Sequence, residues 1–218
     1  MDVTLASIDL VHLFVEELSL CKVQAGESVL IFTDPAFPHA AYPPAAFAAA
    51  KTLGAKPYIM VAHSEDDFTS QPCRAAWRHA ELILGMSTVP RGIGSWMYTE
   101  TCDDALAAGA RVLMVQEPAS VLRRMKPDPV VVGRTVAGAE RLGKAREIRV
   151  TSLAGSEFTM RKDGRKAHGQ WGVADIPGRW DHWPSGLVAC APLEDSAEGR
   201  YVIAPGDVLL GQWHFANS

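Results

Sequence analysis

The sequence lacks the long apolar runs, basic clusters and paired cysteines that mark several large classes of protein. No apolar run approaches the ~18 residues that a membrane-spanning helix needs, so we expect no membrane partner. The 21 Lys and Arg residues are outnumbered by 25 Asp and Glu residues, giving a formal net charge of −4, which disfavours nucleic acid as a partner. None of the four cysteines belongs to a CxxC pair, which argues against a zinc ribbon or a thioredoxin-like site. Because the first residues form no secretory signal pattern, we expect a cytoplasmic protein with reduced thiols.

Metal-ligand spacings are absent from the sequence as well. The seven histidines include no i, i+4 pair and no His-x-His pair, the spacings that place two imidazoles on one metal ion. A facial triad could be built only from distant residues, such as His168 and His182 with either Asp181 or His214. From the residues alone we therefore predict no metal ligand in this chain.

A glycine-rich segment, RGIGS at residues 91–95, follows the third strand-like run of the chain. It lacks the third glycine of a dinucleotide fingerprint and the Lys-Ser/Thr pair of a P-loop, so nucleotide binding is disfavoured. A flexible loop over a site is the better interpretation, since α/β folds place their ligand loops at the carboxyl ends of strands. Trp96 and Tyr98, directly beyond the segment, could then face an aromatic substrate.

Apolar runs of strand length alternate with helical patterns along the first two thirds of the chain. The strand-like runs lie at residues 29–33, 57–61, 82–85 and 111–115, and the helical patterns at 5–20, 43–53, 73–79, 100–108 and, with a break at 126–129, 118–143. This alternation predicts an α/β fold with a Rossmann-like parallel sheet flanked by helices. Beyond residue 147 the pattern at 148–151, 201–203 and 208–210 predicts antiparallel β structure with long loops. We expect domains at 1–145 and 146–218.

The segment PGRWDHWPSG at residues 177–186 concentrates two tryptophans, an Asp, a His and an Arg within a few positions. Pro-Gly at one end and Pro-Ser-Gly at the other are turn formers, so we predict a loop. The tryptophans must pack on something, and that packing would hold Asp181 and His182 in a partly apolar setting where the pKa of an imidazole can be tuned. From the residues alone, a structural loop and a functional site remain equally open.

The same segment, followed by PLEDSAEG at residues 192–199, resembles 2,5-dihydroxypyridine 5,6-dioxygenases. These are ring-cleaving non-haem iron enzymes of a superfamily shared with the M29 metallo-aminopeptidases, and the resemblance is strongest over residues 147–210. It implies Fe(II) as cofactor and a small hydroxylated N-heteroaromatic substrate. It also implies that His182 is the catalytic, substrate-side histidine and should face a cavity that it shares with Trp96 or Tyr98. The residues expected to bind substrate are Trp180, Asp181, Ser185, Tyr98 and Gln170.

The sequence departs from the dioxygenase pattern at two positions and from the peptidase pattern at a third. Gln170 stands where the family has an acidic residue, and Tyr98 stands near the position of a family histidine; neither is an equivalent acid or base at neutral pH. The M29 peptidases place a metal-binding Glu directly after the Pro-Ser/Thr-Gly turn, where this chain has Leu187. A metallo-aminopeptidase is therefore disfavoured.

The family's metal ligands come mainly from a C-terminal region, whereas this sequence stops at Ser218. The resemblance therefore implies that the chain is the N-terminal portion of such an enzyme, with its metal ligands outside the chain. Trp213, His214 and Phe215 would then lie on an exposed edge, so we expect a homo-oligomer or a missing C-terminal half as partner. The alternative from a different class is a non-catalytic binding or assembly domain that keeps the fold without metal.

Overall fold

A computed structural model describes residues 3–92, 94–126, 128–205, 208–209 and 213–214. The helices are α1 Val3–Leu20, α2 Tyr42–Thr52, α3 Glu65–Thr69, α4 Gln71–His79, α5 Glu100–Ala107, α6 Ala119–Arg124 and α7 Pro129–Lys144, with a 3-10 helix at Ser95–Tyr98. The strands are β1 Ser28–Thr33, β2 Lys56–Val61, β3 Leu82–Met86, β4 Arg111–Val115, β5 Glu147–Thr151, β6 Glu157–Arg161, β7 His168–Gln170, β8 Trp180–Trp183, β9 Leu187–Ala189, β10 Glu198–Arg200, β11 Val208–Leu209 and β12 Trp213–His214.

Five strands form one parallel sheet in the order β2-β1-β3-β4-β8. Every residue of β3 and β4 is buried, as is every residue of β1 after the first. Strands buried on both faces read as continuous apolar runs, which is why β1, β3 and β4 were recognisable in the sequence, whereas the apolar run of β2 lies at the sheet edge and is mostly exposed. The predicted Rossmann-like α/β fold is confirmed.

The helices cover the sheet from two sides. On one side Phe14 of α1 packs edge-on against Trp183 of β8 and against Tyr42 of α2, with ring centroids 5.3 and 5.8 Å apart. On the other side Phe32 of β1 packs against Trp77 of α4 at 5.2 Å, within an apolar cluster that also holds residues of α5 and the 3-10 helix. Each face of the sheet therefore has its own aromatic core.

Hydroxyl side chains set the starts of three helices. Ser64 accepts the Asp67 N–H before α3, Ser70 accepts the Cys73 N–H before α4, and the Thr99 hydroxyl accepts the Cys102 N–H before α5. Each of these contacts satisfies a backbone donor that the first turn of a helix leaves unpaired. None of the described helices is both long and apolar enough to cross a membrane.

The segment predicted to be a loop contains a strand instead. Residues 180–183 form β8, which lies parallel to β4 with Trp180 opposite Val112 and His182 opposite Met114. The turn residues are real, since Gly178 has a φ of +72° and the Trp183–Pro184 bond is cis. They bound a strand of four residues whose side chains alternate between half-buried and buried. The turn signals therefore mark the ends of β8, and the prediction of a loop between them was wrong.

The chain divides into two compact units that differ from the expected domains at 1–145 and 146–218. One unit comprises Met1–Thr135 and Gln170–Leu187, and the other comprises Val136–Gly169 and Val188–Ser218. The difference arises because β8 completes the parallel sheet, so the chain returns to the first unit after leaving it. A single boundary near residue 145 cannot describe this arrangement.

The second unit contains the predicted antiparallel structure. The strands β10, β6 and β5 form a three-stranded antiparallel sheet, and β11 pairs with β12 in antiparallel register. The strand expected at residues 201–203 is displaced, because β10 ends at Arg200 and 201–203 have no regular structure. Gly199, with a φ of +128°, sits where an added Cβ would lie 2.3 Å from the Glu157 carbonyl oxygen. This close approach explains a glycine inside β10.

Candidate functional site at the carboxyl edge of the sheet

The carboxyl ends of β1 and β3 are joined through Asp34. Its carboxylate accepts the Ser87 hydroxyl at 2.7 Å, the Thr88 hydroxyl at 2.9 Å and the Thr88 N–H. Burial alone would raise the pKa of Asp34, but these hydrogen bonds outweigh it and lower the pKa. In the sheet, β2 lies on one side of β1 and β3 lies on the other, so the strand order reverses between β1 and β3. Open α/β sheets bind ligands at such a switch point. Because both of its carboxylate oxygens accept hydrogen bonds, Asp34 holds the ends of β1 and β3 together and is not available as a free base.

The loop after β3 lies against the carboxyl end of β4. Gly94 has a φ of +74°, and a Cβ added there would lie 2.5 Å from Nε2 of Gln116 and 2.8 Å from Sδ of Met114. Only glycine fits this close approach and this backbone conformation. The amide Nε2 of Gln116 is buried and has no hydrogen-bond partner among the described residues.

His182 lies on β8 beside this end of β4, directly opposite Met114. Alternate residues of a strand share a face, and Trp180 packs against the apolar cluster that holds Met114, so His182 faces the same side. The imidazole is half-buried, and Nε2 has no partner within the described part of the chain. Burial lowers the pKa of His182, partly offset by the charge of Glu117. A neutral imidazole at pH 7 is free to accept a proton.

Trp96, one of the two aromatic neighbours predicted for His182, lies in the core. Trp96 is fully buried and packs against Trp77 at 5.6 Å. Its six-membered ring fills the space beside Gly85 of β3, where an added Cβ would lie 2.0 Å from Cζ2 of the indole. Trp96 therefore belongs to the core and does not share a cavity with His182, which corrects that expectation. Tyr98 is 82% exposed.

Asp181 has a structural role, contrary to its prediction as a substrate-binding residue. It is fully buried on the opposite face of β8 from His182. Its carboxylate accepts the backbone N–H groups of Trp171 and Gly172, each at 3.0 Å, and of His182 at 2.7 Å. The guanidinium of Arg179 lies 3.5 Å away. The carboxylate thus holds residues 171–172 against β8 and has no exposed oxygen to offer a substrate.

The remaining predicted residues are spread over both faces of β8. Trp180 is half-buried against the apolar cluster, so packing accounts for it without a substrate. Ser185 is half-buried and lines a cavity on the other face, together with Trp183. Gln170 is half-buried at the end of β7. The structure therefore places Trp180 on the face of β8 that carries His182, and Ser185 beside a cavity on the other face.

The buried acid of α1 was missed in the sequence. Glu17 of α1 is fully buried, its Oε1 accepts the Cys21 thiol at 3.5 Å, and its Oε2 has no partner among the described residues. Burial raises the pKa of Glu17 well above its usual value. The signal was present, because Glu17 falls four residues after Leu13 and three after Phe14, on the apolar stripe of the helix.

The described residues do not fit a resident iron ion. Within them, no group of three or more His, Cys, Asp or Glu side chains is placed to hold a metal. The distant triad considered from the sequence does not form there, because His168 is exposed on β7 and Asp181 is occupied by backbone donors. The side chain of His214 lies outside the described residues. Burial raises the pKa of Cys73 to about 11 and of Cys102 to about 12, so neither is a ready thiolate ligand.

A five-stranded parallel sheet flanked by helices defines an α/β protein of the Rossmann-like class. The chain belongs to the 2,5-dihydroxypyridine 5,6-dioxygenase family, whose model matches residues 9–218. A curated 2,5-dihydroxypyridine 5,6-dioxygenase from Pseudomonas putida KT2440 is 44% identical over 108 residues, which are 50% of this chain and 31% of that protein. The resemblance noted in the sequence is confirmed.

A solved structure gives the same family. The structure of a 2,5-dihydroxypyridine dioxygenase from Pseudomonas putida KT2440 matches with a TM-score of 0.82 and 30% identity, covering 94% of this chain and 61% of that one. The chain therefore spans less than two thirds of the length of the relatives it matches.

Proposed function

We propose that this chain supplies the substrate-side part of a ring-cleaving dioxygenase acting on 2,5-dihydroxypyridine or a close hydroxylated N-heteroaromatic relative. Family membership supports the reaction class and the substrate class. The proposal includes Fe(II), held by ligands other than those the described residues bring together. The solved relative has a further part that this chain does not cover, and such a part is where those ligands would lie.

The geometry of His182 carries the proposal. It combines a half-buried ring, an Nε2 without a partner in the described structure and a pKa lowered by burial. An imidazole with these properties can accept the proton of a ring hydroxyl as the substrate binds. Gln116, whose buried Nε2 is also without a described partner, can donate to a substrate oxygen at the same edge. Tyr98 and Gln170 remain proposed substrate contacts.

Oxygen consumption tests the proposal directly. The chain, joined to the part of the solved relative that it does not cover, is supplied with Fe(II) and 2,5-dihydroxypyridine, and oxygen uptake is followed together with loss of the substrate's ultraviolet absorbance. We expect His182→Gln to lower the rate by a factor of about 100 or more, the usual contribution of a general acid or base. His79→Gln is the matched control, because His79 is exposed at the end of α4. Equal rates for the two variants would contradict the role of His182.

A non-catalytic binding domain is the second candidate. The observation that favours it is the lack of any described side-chain group placed to hold a metal. This candidate predicts that 2,5-dihydroxypyridine binds, and that His182→Gln weakens the binding, without oxygen uptake even when Fe(II) is in excess. Oxygen uptake that depends on both Fe(II) and His182 would exclude it.

We also propose that the chain self-associates. The strand β2 lies at one edge of the parallel sheet, and its Tyr58, Ile59 and Val61 are 58%, 44% and 47% exposed. An exposed apolar edge strand is a ready surface for pairing. The residues that first suggested association, at 213–215, lie outside the described side chains. Light scattering at micromolar concentration should show a dimer or larger species in the native protein and a monomer in Ile59→Lys.

A further inference from the structure

A cavity lies on the face of β8 opposite to His182. It has a volume of about 230 Å³ and is bounded by α1, by residues 124–126 and 128 at the end of α6 and before α7, and by the chain on either side of β8. Trp171, Val173 and Trp183 form much of its wall. An apolar cavity of about 150 Å³ is large enough to bind benzene, so this cavity has room for one substituted aromatic ring.

A buried acid lies in the wall of this cavity. Glu17 is fully buried and lines the cavity, yet its Oε2 has no partner in the described part of the structure. A buried oxygen without a hydrogen bond costs free energy that a suitable donor recovers. A ligand hydroxyl or ring N–H is such a donor. The Cys21 thiol reaches only Oε1, so it leaves Oε2 available.

Positive charge lines the same cavity. Arg124 and Lys126 both contribute to its lining and are exposed to solvent. The one acidic side chain beside them, Asp128, accepts the Val130 N–H at 2.8 Å at the start of α7. Two cations next to an aromatic wall favour an anionic group on a ring, and a guanidinium matches a carboxylate through paired hydrogen bonds.

We propose that this cavity binds a small aromatic carboxylate that carries a ring hydroxyl or a ring N–H. The polar hydrogen of the ring substituent donates to Oε2 of Glu17, the ring packs on Trp171 and Trp183, and the carboxylate is held by Arg124 and Lys126. The site is separate from the one containing His182, because Trp183 and His182 lie on opposite faces of the same strand.

Calorimetric titration with 4-hydroxybenzoate tests the site, with tryptophan fluorescence as a second readout. We expect one-site binding with a Kd below about 1 mM, within reach of a ligand of this size. Benzoate lacks the donor for Glu17 and phenol lacks the carboxylate, so each should bind about five-fold more weakly or worse. Absence of saturable binding of 4-hydroxybenzoate at about ten times that concentration would overturn the proposal.

Variants of Glu17 separate a binding role from a purely structural one. Glu17→Leu should weaken 4-hydroxybenzoate at least about ten-fold, since the acceptor is removed, without lowering the Tm. Glu17→Gln keeps an acceptor oxygen of the same shape and should bind within about three-fold of the native protein. Equal binding by the native protein and Glu17→Leu would show that the ligand does not contact Glu17.

Two further variants locate the carboxylate and distinguish this site from the proposed catalytic one. Arg124→Ala should weaken binding by about five-fold, as expected for a solvent-exposed charge pair, whereas Arg123→Ala should not, because Arg123 lines a different depression. His182→Gln should leave 4-hydroxybenzoate binding unchanged. Loss of binding in His182→Gln with retention in Glu17→Leu would place the ligand at the other site and refute the inference. If the protein showed no dioxygenase activity, the expected binding of 4-hydroxybenzoate by the native protein and these variants would be the same.

Discussion

Replacing Asp181 with alanine tests whether this residue holds the fold or the substrate. The change leaves three backbone N–H groups, those of Trp171, Gly172 and His182, without the acceptor they now share. Each buried donor left unsatisfied costs about 1–3 kcal/mol. Removing a carboxylate whose burial is itself unfavourable offsets part of this. We therefore expect a net loss of about 3 kcal/mol in the free energy of unfolding.

Thermal and urea unfolding measure this loss. For a chain of this size, about 3 kcal/mol corresponds to a fall of roughly 6–12 °C in Tm. Asp104→Ala is the control, because Asp104 is exposed in α5 and its replacement should change the free energy of unfolding by less than about 1 kcal/mol. An unchanged Tm in Asp181→Ala, combined with lost binding of 2,5-dihydroxypyridine, would refute the structural role and show that Asp181 binds the substrate.

Three further predictions concern stability. Because burial raises the folded-state pKa of Glu17 above its usual 4.5, the native protein should lose stability as the pH rises above that value. In differential scanning fluorimetry the gain in Tm of Glu17→Gln over the native protein should therefore be small at pH 4.5 and grow toward pH 8. A gain that does not depend on pH would contradict this. Gly85→Ala should cost about 3 kcal/mol or more in urea unfolding, since its Cβ would overlap the ring of Trp96, whereas Gly133→Ala, in open space within α7, should stabilise by about 0.5–1 kcal/mol. Trp180→Ala should cost about 2–3 kcal/mol, because the indole is half-buried against the core; an unchanged urea midpoint would mean that the indole does not pack there in solution.

The parallel sheet was predictable where burial makes a strand uniformly apolar. Runs such as residues 29–33 and 111–115 are buried on both faces, so their composition alone distinguishes them. The strand β8 has only four residues, and two of them are Asp181 and His182. The local sequence pattern therefore does not predict a strand with a buried Asp. The buried Asp is acceptable because Trp171 and Gly172, ten and nine residues earlier, supply their N–H groups. Such compensation depends on tertiary contacts and cannot be seen in a local pattern.

The candidate site, like the sheet, could be predicted from the sequence only in part. His182 was predicted from the family motif, and the structure shows that it is half-buried and lies opposite Met114. The assignment of Asp181 to the substrate failed because neighbours on a strand face opposite sides, which matters only once residues 180–183 are known to be a strand. Glu17 could have been flagged as an acid on the apolar stripe of α1, but the cavity beside it arises from three separate stretches of chain.

The central claim is that His182 is a neutral imidazole that meets the substrate, and NMR of the histidine rings tests it most directly. The His182 signal, assigned by its loss in His182→Gln, is followed through a pH titration and then at pH 7 with added 2,5-dihydroxypyridine. The account predicts a pKa below the usual 6.5 and a change in this signal as the substrate binds. A His182 pKa above 6.5, with a signal unaffected by saturating 2,5-dihydroxypyridine, would contradict it.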